Sequence, residues 1–133
     1  MARRKSRHPT ELELEILKVL WEESPLTVKQ VRQVLADRFR TLAHTSLITT
    51  LNVMFDKGYV LRESVSEGKG YEFSPKLSRE EVSQGMVGDL VARMFGGSAS
   101  ALMLSLLESD QLNADEHSEL KSAIERYRRG ERK

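Results

Sequence analysis

The chain has 133 residues, of which 39% are hydrophobic and 31% charged, so it has room for one domain or for two small ones that share a core. This composition is typical of a globular protein and argues against intrinsic disorder. The chain has no cysteine, no apolar run of the roughly 20 residues that a membrane-spanning helix needs, and no apolar segment behind its basic start that would make a secretory signal. We therefore expect a cytoplasmic protein without membrane insertion, disulfides or a thiolate metal site.

The net charge of +1 conceals an uneven distribution of charged residues. Residues 1–76 carry 13 Lys and Arg against 10 Asp and Glu, whereas residues 77–133 carry 8 against 10. Four of the positive charges lie in residues 1–9, which we expect to form a basic, flexible arm. A basic first half favours a polyanionic partner for that half, although a short basic arm by itself is more often a solvated terminus.

Two amphipathic helices are predicted after the arm. Thr10 and Glu13 have the spacing of a capping box that begins the first helix, and the apolar residues behind them form two stripes, so this helix is expected to be covered on more than one side. The Ser-Pro pair at residues 24–25 ends it. Thr27 and Gln30 form a second capping box, which begins the second helix.

The stretch HTSLITTLNVMFDK before Gly58 predicts a third helix with an unusual outer face. Its apolar residues recur at helical spacing and form a buried stripe. On the opposite side lie Thr45, Ser46 and Thr49, where a solvated helix usually has long charged residues that are better helix formers. A face of short hydroxyls suits a surface that is pressed against a partner.

The segments YVLRESV and YEFSP predict two strands of a hairpin, since they are rich in β-branched and aromatic residues and flank the turn SEGKG. Three helices followed by a hairpin have the order of a winged helix-turn-helix, in which the third helix enters the major groove of DNA. Short hydroxyls allow close approach to base edges and phosphates. The alternative is a small structural α+β unit whose third helix is merely polar.

This interpretation assigns DNA contacts to individual residues. The side chains predicted to face the groove are Ser46, Thr49, Thr45, Asn52 and Val53. The predicted phosphate contacts are His44, Thr50, Arg62 and Lys69, the last near the tip of the hairpin. Arg3 and Arg4 of the basic arm are candidates for phosphate or minor-groove contacts.

The remaining helices cannot readily bury themselves. After a helix that begins near Ser78 and ends at the glycine pair of residues 96–97, the segment ASALMLSLL is apolar nearly all round, and one more helix follows Asn113. A second copy related by a two-fold axis is the most economical partner, whereas the alternative is a monomer in which these helices fold back on the first helix. The expected dimer core consists of Leu90, Met94, Leu102, Leu106, Leu120 and Ile124.

The expected fold is therefore mainly α with a small β-hairpin. A winged helix-turn-helix DNA-binding domain over residues 10–76 is followed by a three-helix dimerisation domain over residues 77–129 and a polar tail over residues 130–133.

An enzyme is not expected, because the sequence shows no catalytic or cofactor-binding pattern. His8, His44 and His117 have no ligand spacing between them, the adjacent acidic pairs fall at helix ends, and there is no glycine-rich phosphate loop. An alternative function of another class is a protein-interaction adaptor, since winged helices also serve as docking modules. An adaptor would be indifferent to salt, whereas a DNA binder must lose affinity steeply as the salt concentration rises.

The stretches TELELEILKVLWEESPLTVKQV, HTSLITTL, FDKGYVLRESVSEGKGYEFSP and MFGGSASALMLSLLE resemble the penicillinase-repressor (BlaI/MecI/CopY) family of bacterial winged-helix transcriptional repressors, and the resemblance extends from Thr10 to Ile124. It implies a homodimer that represses transcription from a dyad-symmetric operator, with β-lactam resistance or a stress response as the regulated process. It also implies relief of repression, either through a membrane sensor-protease system or by copper.

The chain departs from the family pattern in three places. The cysteine cluster of the copper branch is missing, so copper sensing through thiolates is not supported. The asparagine–phenylalanine pair that is cleaved in the β-lactam branch falls on Ser105 and Leu106. Arginines that are common in the third helix fall on Ile48 and Val53, so fewer charge-assisted contacts and a different operator are expected.

Overall fold

The structure, a computed structural model, describes residues 8–65 and 70–130; Arg3, Arg4 and Lys69 lie outside these ranges. Within them, six helices and three short strands follow one another along the chain: α1 (Glu11–Glu22), β1 (Leu26–Thr27), α2 (Val28–Arg38), α3 (His44–Lys57), β2 (Val60–Ser64), β3 (Tyr71–Pro75), α4 (Arg79–Met94), α5 (Ala99–Glu108) and α6 (Ala114–Arg128). The predicted fold is confirmed, since a helical chain carries a small hairpin directly after its third helix.

The helices begin where capping residues predict them to begin. In each capping box, a short side chain accepts from the backbone N–H three residues on and that residue's own side chain accepts from the backbone of the cap, which satisfies two of the unpaired N–H groups of a helix start. Such boxes are formed by Thr10 and Glu13, Thr27 and Gln30, Ser78 and Glu81, and Asn113 and Glu116.

The sheet has one strand more than the sequence predicts. β2 and β3 form the expected antiparallel hairpin, with Val60 opposite Pro75 and Ser64 opposite Tyr71. β1 pairs with the other edge of β3, so the strand order is β1-β3-β2. A strand of two residues is too short to show an alternating pattern, which is why the sequence does not reveal it.

The hydrophobic core of the winged helix joins α1, α2 and α3 to the sheet. Buried side chains recur at helical spacing along the three helices, and the sheet and the first turn of α4 contribute further buried residues. The core includes Ile16, Leu17, Leu20, Val31, Leu35, Leu47, Leu51, Met54, Val60, Phe73 and Val82. Trp21 fixes the start of α4, because its indole Nε1 donates to the Leu77 carbonyl at 2.8 Å and the Arg79 guanidinium lies over its ring.

A buried carboxylate connects α1 to α3. Glu13 is only 3% exposed; its Oε1 accepts from the Thr10 backbone at 2.9 Å and its Oε2 from the Lys57 ammonium at 2.8 Å. Lys57 also lies near the Tyr59 ring. Burial raises the pKa of the Tyr59 phenol above its ordinary value, and the Lys57 charge acts in the opposite direction. This ion pair fixes the last turn of α3 on the first turn of α1.

The chain divides into two compact units, residues 1–87 and 88–133. The functional boundary between residues 76 and 77 stays a prediction. In the second unit, the described part of the chain contains no buried residue, and neither α5 nor α6 has one. Within the described ranges, no single helix is long and apolar enough to cross a membrane; only the bent pair of α4 and α5, taken together, would pass that test.

We predict that Lys57→Met destabilises the fold by about 3 kcal/mol, because removing one partner leaves a buried carboxylate without its counter-charge. Urea denaturation at one fixed protein concentration measures the loss. Arg93→Met is the matched control, since it breaks the exposed pair with Asp89 and should cost less than about 0.5 kcal/mol. Equal losses in the two variants would mean that the Glu13 pair contributes no more than a surface pair.

A second prediction concerns two glycines, one with a left-handed backbone conformation and one inside a helix. Gly58 ends α3 with φ at +82°, whereas Gly88 lies within α4 with open space where a Cβ would be. Gly58→Ala should destabilise the fold by about 1–2 kcal/mol through left-handed strain, and Gly88→Ala should stabilise it by about 0.5–1 kcal/mol. Thermal melting of both variants checks the signs; the same sign in both would contradict the assigned backbone roles.

Candidate nucleic-acid interface

α3 turns one face into the core and the opposite face to solvent. Leu47, Leu51 and Met54 are buried, and they recur at the three- and four-residue spacing of one helical stripe. The residues predicted to face a groove are all exposed on the other side: Thr45, Ser46, Thr49, Asn52 and Val53. The structure therefore brings these five side chains together on one solvent-facing surface, hereafter the reading face.

The reading face also includes Asp56, which the sequence analysis does not assign to it. Asp56 is exposed and follows Asn52 by four residues and Thr49 by seven, so the same helical spacing could have identified it. A carboxylate repels phosphate groups. The acidic end of the reading face is therefore less suited to close approach by DNA than the first two turns of α3.

The first turn of α3 is suited to an anion. Among the six described helices, α3 alone begins without a side-chain cap, because its N-cap residue is Ala43. The first N–H groups of a helix without such a cap retain their partial positive charge and can bind a phosphate. His44, the first residue of the helix and a predicted phosphate contact, is exposed at the same end.

Arg62 is a predicted phosphate contact that the structure places in contact with other side chains. It projects from β2 between two aromatic rings, with its guanidinium carbon 4.0 Å from the Phe55 centroid and 4.6 Å from the Tyr71 centroid. Its Nη1 donates to Asn52 Oδ1 at 3.0 Å. A guanidinium has five N–H donors, so the group retains donors beyond the one bound by Asn52. Arg62 thereby joins the wing hairpin to the reading face.

Thr50, also a predicted phosphate contact, is half-buried. Its hydroxyl donates to the Ser46 carbonyl at 2.9 Å. A phosphate oxygen can only accept a hydrogen bond. A contact from Thr50 to phosphate would therefore require its hydroxyl to rotate away from Ser46.

Several cations of the winged helix are bound by acidic residues of α1. Arg40 donates to both carboxylate oxygens of Glu15, at 2.8 and 3.0 Å, and Arg38 pairs with Glu22. Lys57, in the last turn of α3, pairs with Glu13 in the same way, so three cations of the winged helix are neutralised by carboxylates of α1. The reading face itself consists of hydroxyl, amide and methyl groups and the Asp56 carboxylate, and none of its residues is a cation.

The second unit exposes a large apolar surface. Of the predicted dimer residues, Leu90, Met94, Leu106 and Ile124 are exposed, Met94 by 69%, while Leu102 and Leu120 are half-buried. An open groove of about 780 Å³ runs along α5 and α6, lined mainly by Met103, Leu106, Leu112, Leu120 and Ala123, with Arg126 and two glutamates among its polar residues.

Ser105 and Leu106, where the resemblance places the scissile pair, lie in the interior of α5, and both are exposed. Proteases cleave preferentially in exposed loops and chain ends. Cleavage between these two residues would therefore require α5 to unwind locally.

In the ranges that the structure describes, no group of three His, Asp or Glu side chains is placed to hold a metal ion.

Two solved structures are similar to the chain. The PcaV transcriptional regulator from Streptomyces coelicolor, solved in complex with its natural ligand, is 18% identical, with a TM-score of 0.46 over 89% of this chain and 73% of that chain. The MarR protein from Peptoclostridium difficile is 10% identical, with a TM-score of 0.46 over 91% of this chain and 69% of that chain.

Sequence comparison identifies the family. The penicillinase repressor of Bacillus licheniformis is 24% identical over 119 residues, which cover 90% of this chain and 91% of that protein. The family model of the penicillinase repressor matches residues 9–126. Because this match spans nearly the whole sequence, the chain belongs to the penicillinase-repressor family of DNA-binding transcriptional repressors, which are not enzymes.

Proposed function

We propose that the chain is a homodimeric repressor that binds a dyad-symmetric operator through the reading face of α3 in each copy. The main observation in favour of a dimer is that the described part of the chain contains no buried residue after Val82. Helices with apolar faces and no core of their own need a partner. A second copy is the simplest one, and a two-fold dimer matches two half-sites of a palindromic operator.

Burial of apolar surface would supply the energy of association. Leu104, Leu106, Ile124 and Tyr127 are each at least 40% exposed on α5 and α6. Covering such side chains contributes roughly 25 cal/mol for each Å² of apolar surface removed from water. The groove along α5 and α6 offers a concave site for a helix of the partner copy. We propose that these helices, with the end of α4, form the dimer core.

The chemistry of the reading face supports recognition of DNA bases. A major groove about 12 Å wide accepts a helix, and serine, threonine and asparagine side chains can bind base edges there. Val53 is exposed at 40% and has methyl groups that can contact the methyl of thymine. Because the helix lacks arginine at Ile48 and Val53, each half-site is expected to bind weakly, which makes the dimer necessary for affinity.

We further propose a role in the control of β-lactam resistance or of a stress response. The name of the Bacillus licheniformis relative, penicillinase repressor, supports the first of these. Relief of repression by a membrane sensor-protease stays part of the proposal, with the bond between Ser105 and Leu106 as its candidate site. We expect cleavage there to be slow in the folded protein, because α5 would have to unwind first.

Selection of random DNA duplexes by the purified protein, at two salt concentrations, tests the proposed function. A dyad motif whose binding weakens as the salt concentration rises would support it. Enrichment of no motif by a protein that is nevertheless a stable dimer would contradict operator binding and favour the adaptor. Enrichment of a single half-site by a monomer would contradict the dimer.

We predict that Thr49→Glu lowers affinity for the selected operator by about a hundredfold or more, because it brings a carboxylate close to the DNA phosphates. Thr49 is exposed, so the melting transition should hardly change. Gln111→Glu, which makes the same change of charge in the connection after α5, should leave affinity unchanged. Normal binding by the Thr49 variant would exclude α3 as the recognition helix. Both affinities can be measured by fluorescence anisotropy with a labelled operator.

We predict that Met94→Glu shifts the protein from dimer to monomer in analytical ultracentrifugation and lowers operator affinity at least about tenfold. The reason is that a charge buried at an apolar interface loses its hydration. The control is Ala92→Glu, on the opposite side of the same helix, which should remain dimeric. A Met94→Glu variant that stays dimeric would remove the end of α4 from the proposed interface.

A further inference from the structure

The contact between Arg62 and Asn52 fixes the orientation of a side chain on the reading face. Arg62 Nη1 lies 3.0 Å from the carboxamide of Asn52. A guanidinium has donors and no acceptor, so the atom that faces it must be the carboxamide oxygen and not the nitrogen. An exposed asparagine can otherwise turn its oxygen or its NH₂ group to a partner. In this chain, the oxygen is directed to the wing strand.

The surroundings of Arg62 hold this arrangement in place. Its guanidinium lies between the rings of Phe55 and Tyr71, and the side chain is half-buried. Cation–π attraction to two rings, at 4.0 and 4.6 Å from their centroids, restricts the positions that the guanidinium can take. Phe55 belongs to α3 and Tyr71 to β3, whereas Arg62 belongs to β2. The position of the donor group is therefore set by three elements of the winged helix.

The pair offers DNA a surface made of donors. Asn52 retains its NH₂ group, and Arg62 retains the N–H groups that Asn52 does not bind. In the major groove, adenine presents one acceptor and one donor, so an asparagine that reads adenine must direct both its oxygen and its nitrogen to the base. Guanine presents two acceptors, N7 and O6, and no donor. A side chain that presents only hydrogen-bond donors therefore complements the major-groove edge of guanine and not that of adenine.

We propose that the Asn52–Arg62 pair selects guanine at one position of each half-site, with Asn52 in contact with the base and Arg62 as the positioning residue that directs its carboxamide. This inference rests on the proposed function, since it needs α3 to enter the major groove. It gives Arg62 a role in base selectivity in place of the phosphate contact expected from the sequence. Arg62 also supplies a guanidinium next to α3. This helix has none of its own at the two positions, Ile48 and Val53, where the family commonly has arginine.

Duplex selection with the wild type and three variants tests the proposal. Asn52→Ala identifies the position, because one column of each half-site should lose its base preference while the others persist. In the wild type, that column should be guanine. Arg62→Met fills the space between the rings without a donor and frees the Asn52 oxygen, so guanine should lose its advantage over adenine by about tenfold. Arg62→Lys restores a donor and should restore the guanine preference.

The outcomes separate this proposal from the proposed function. If the wild type selects no motif, operator binding itself fails. If it selects a motif in which the Asn52 column is adenine or thymine, or in which Arg62→Met leaves the guanine preference unchanged, the pair does not select guanine and operator binding stands. Melting curves of all variants monitor folding. A purely structural role of Arg62 would lower binding to every duplex equally and leave the base preference of that column unchanged, which would overturn the proposal.

Discussion

The ion pair between the buried Glu13 carboxylate and the half-buried Lys57 ammonium holds the helix on which the proposed function depends. It lies at one end of α3, where the helix meets the first turn of α1. Gly58 follows directly and directs the chain into β2. Because a buried charge tolerates few alternative positions for its partner, such a pair defines geometry more than it adds stability. The orientation of α3, and with it that of the reading face, is therefore held by a contact in the last turn of the same helix.

Ion pairs with α1 also limit the positive charge of the winged helix. The acidic residues of α1 bind Arg38, Arg40 and Lys57, so these cations stabilise contacts between helices. Among the residues that the structure describes, those at or near the reading face offer the uncapped start of α3, the hydroxyls, amide and Asp56 carboxylate of its outer face, and the Arg62 guanidinium beside two rings. This described part of the surface offers few cations to phosphate groups. For the proposed function, base selectivity would then come from the geometry of hydrogen bonds, and two copies acting together would add affinity.

The sequence predicted those features that local rules determine. A capping box spans four residues, the left-handed Gly58 is a single position, and the hydrophobic stripe of α3 recurs about once per turn, so each can be recognised without knowledge of the fold. The composition of the reading face followed from the same periodicity. The partners of Arg62 and Glu13 did not, because they join residues 10 and 44 positions apart and depend on how the strand and helices pack. The sequence did not predict the two-residue strand β1 for a related reason, because this strand is defined only by its pairing with β3.

The bond from Trp21 to the Leu77 carbonyl has a practical consequence for anyone who studies the protein in solution. The chain contains a single tryptophan, and its indole N–H and ring face are engaged by the residues that lead into α4. Indole emission depends on hydrogen bonding and on nearby charge. Tryptophan emission from the protein therefore arises from one place, the contact of the first turn of α4 with the winged helix, and it reports on that contact without any added label.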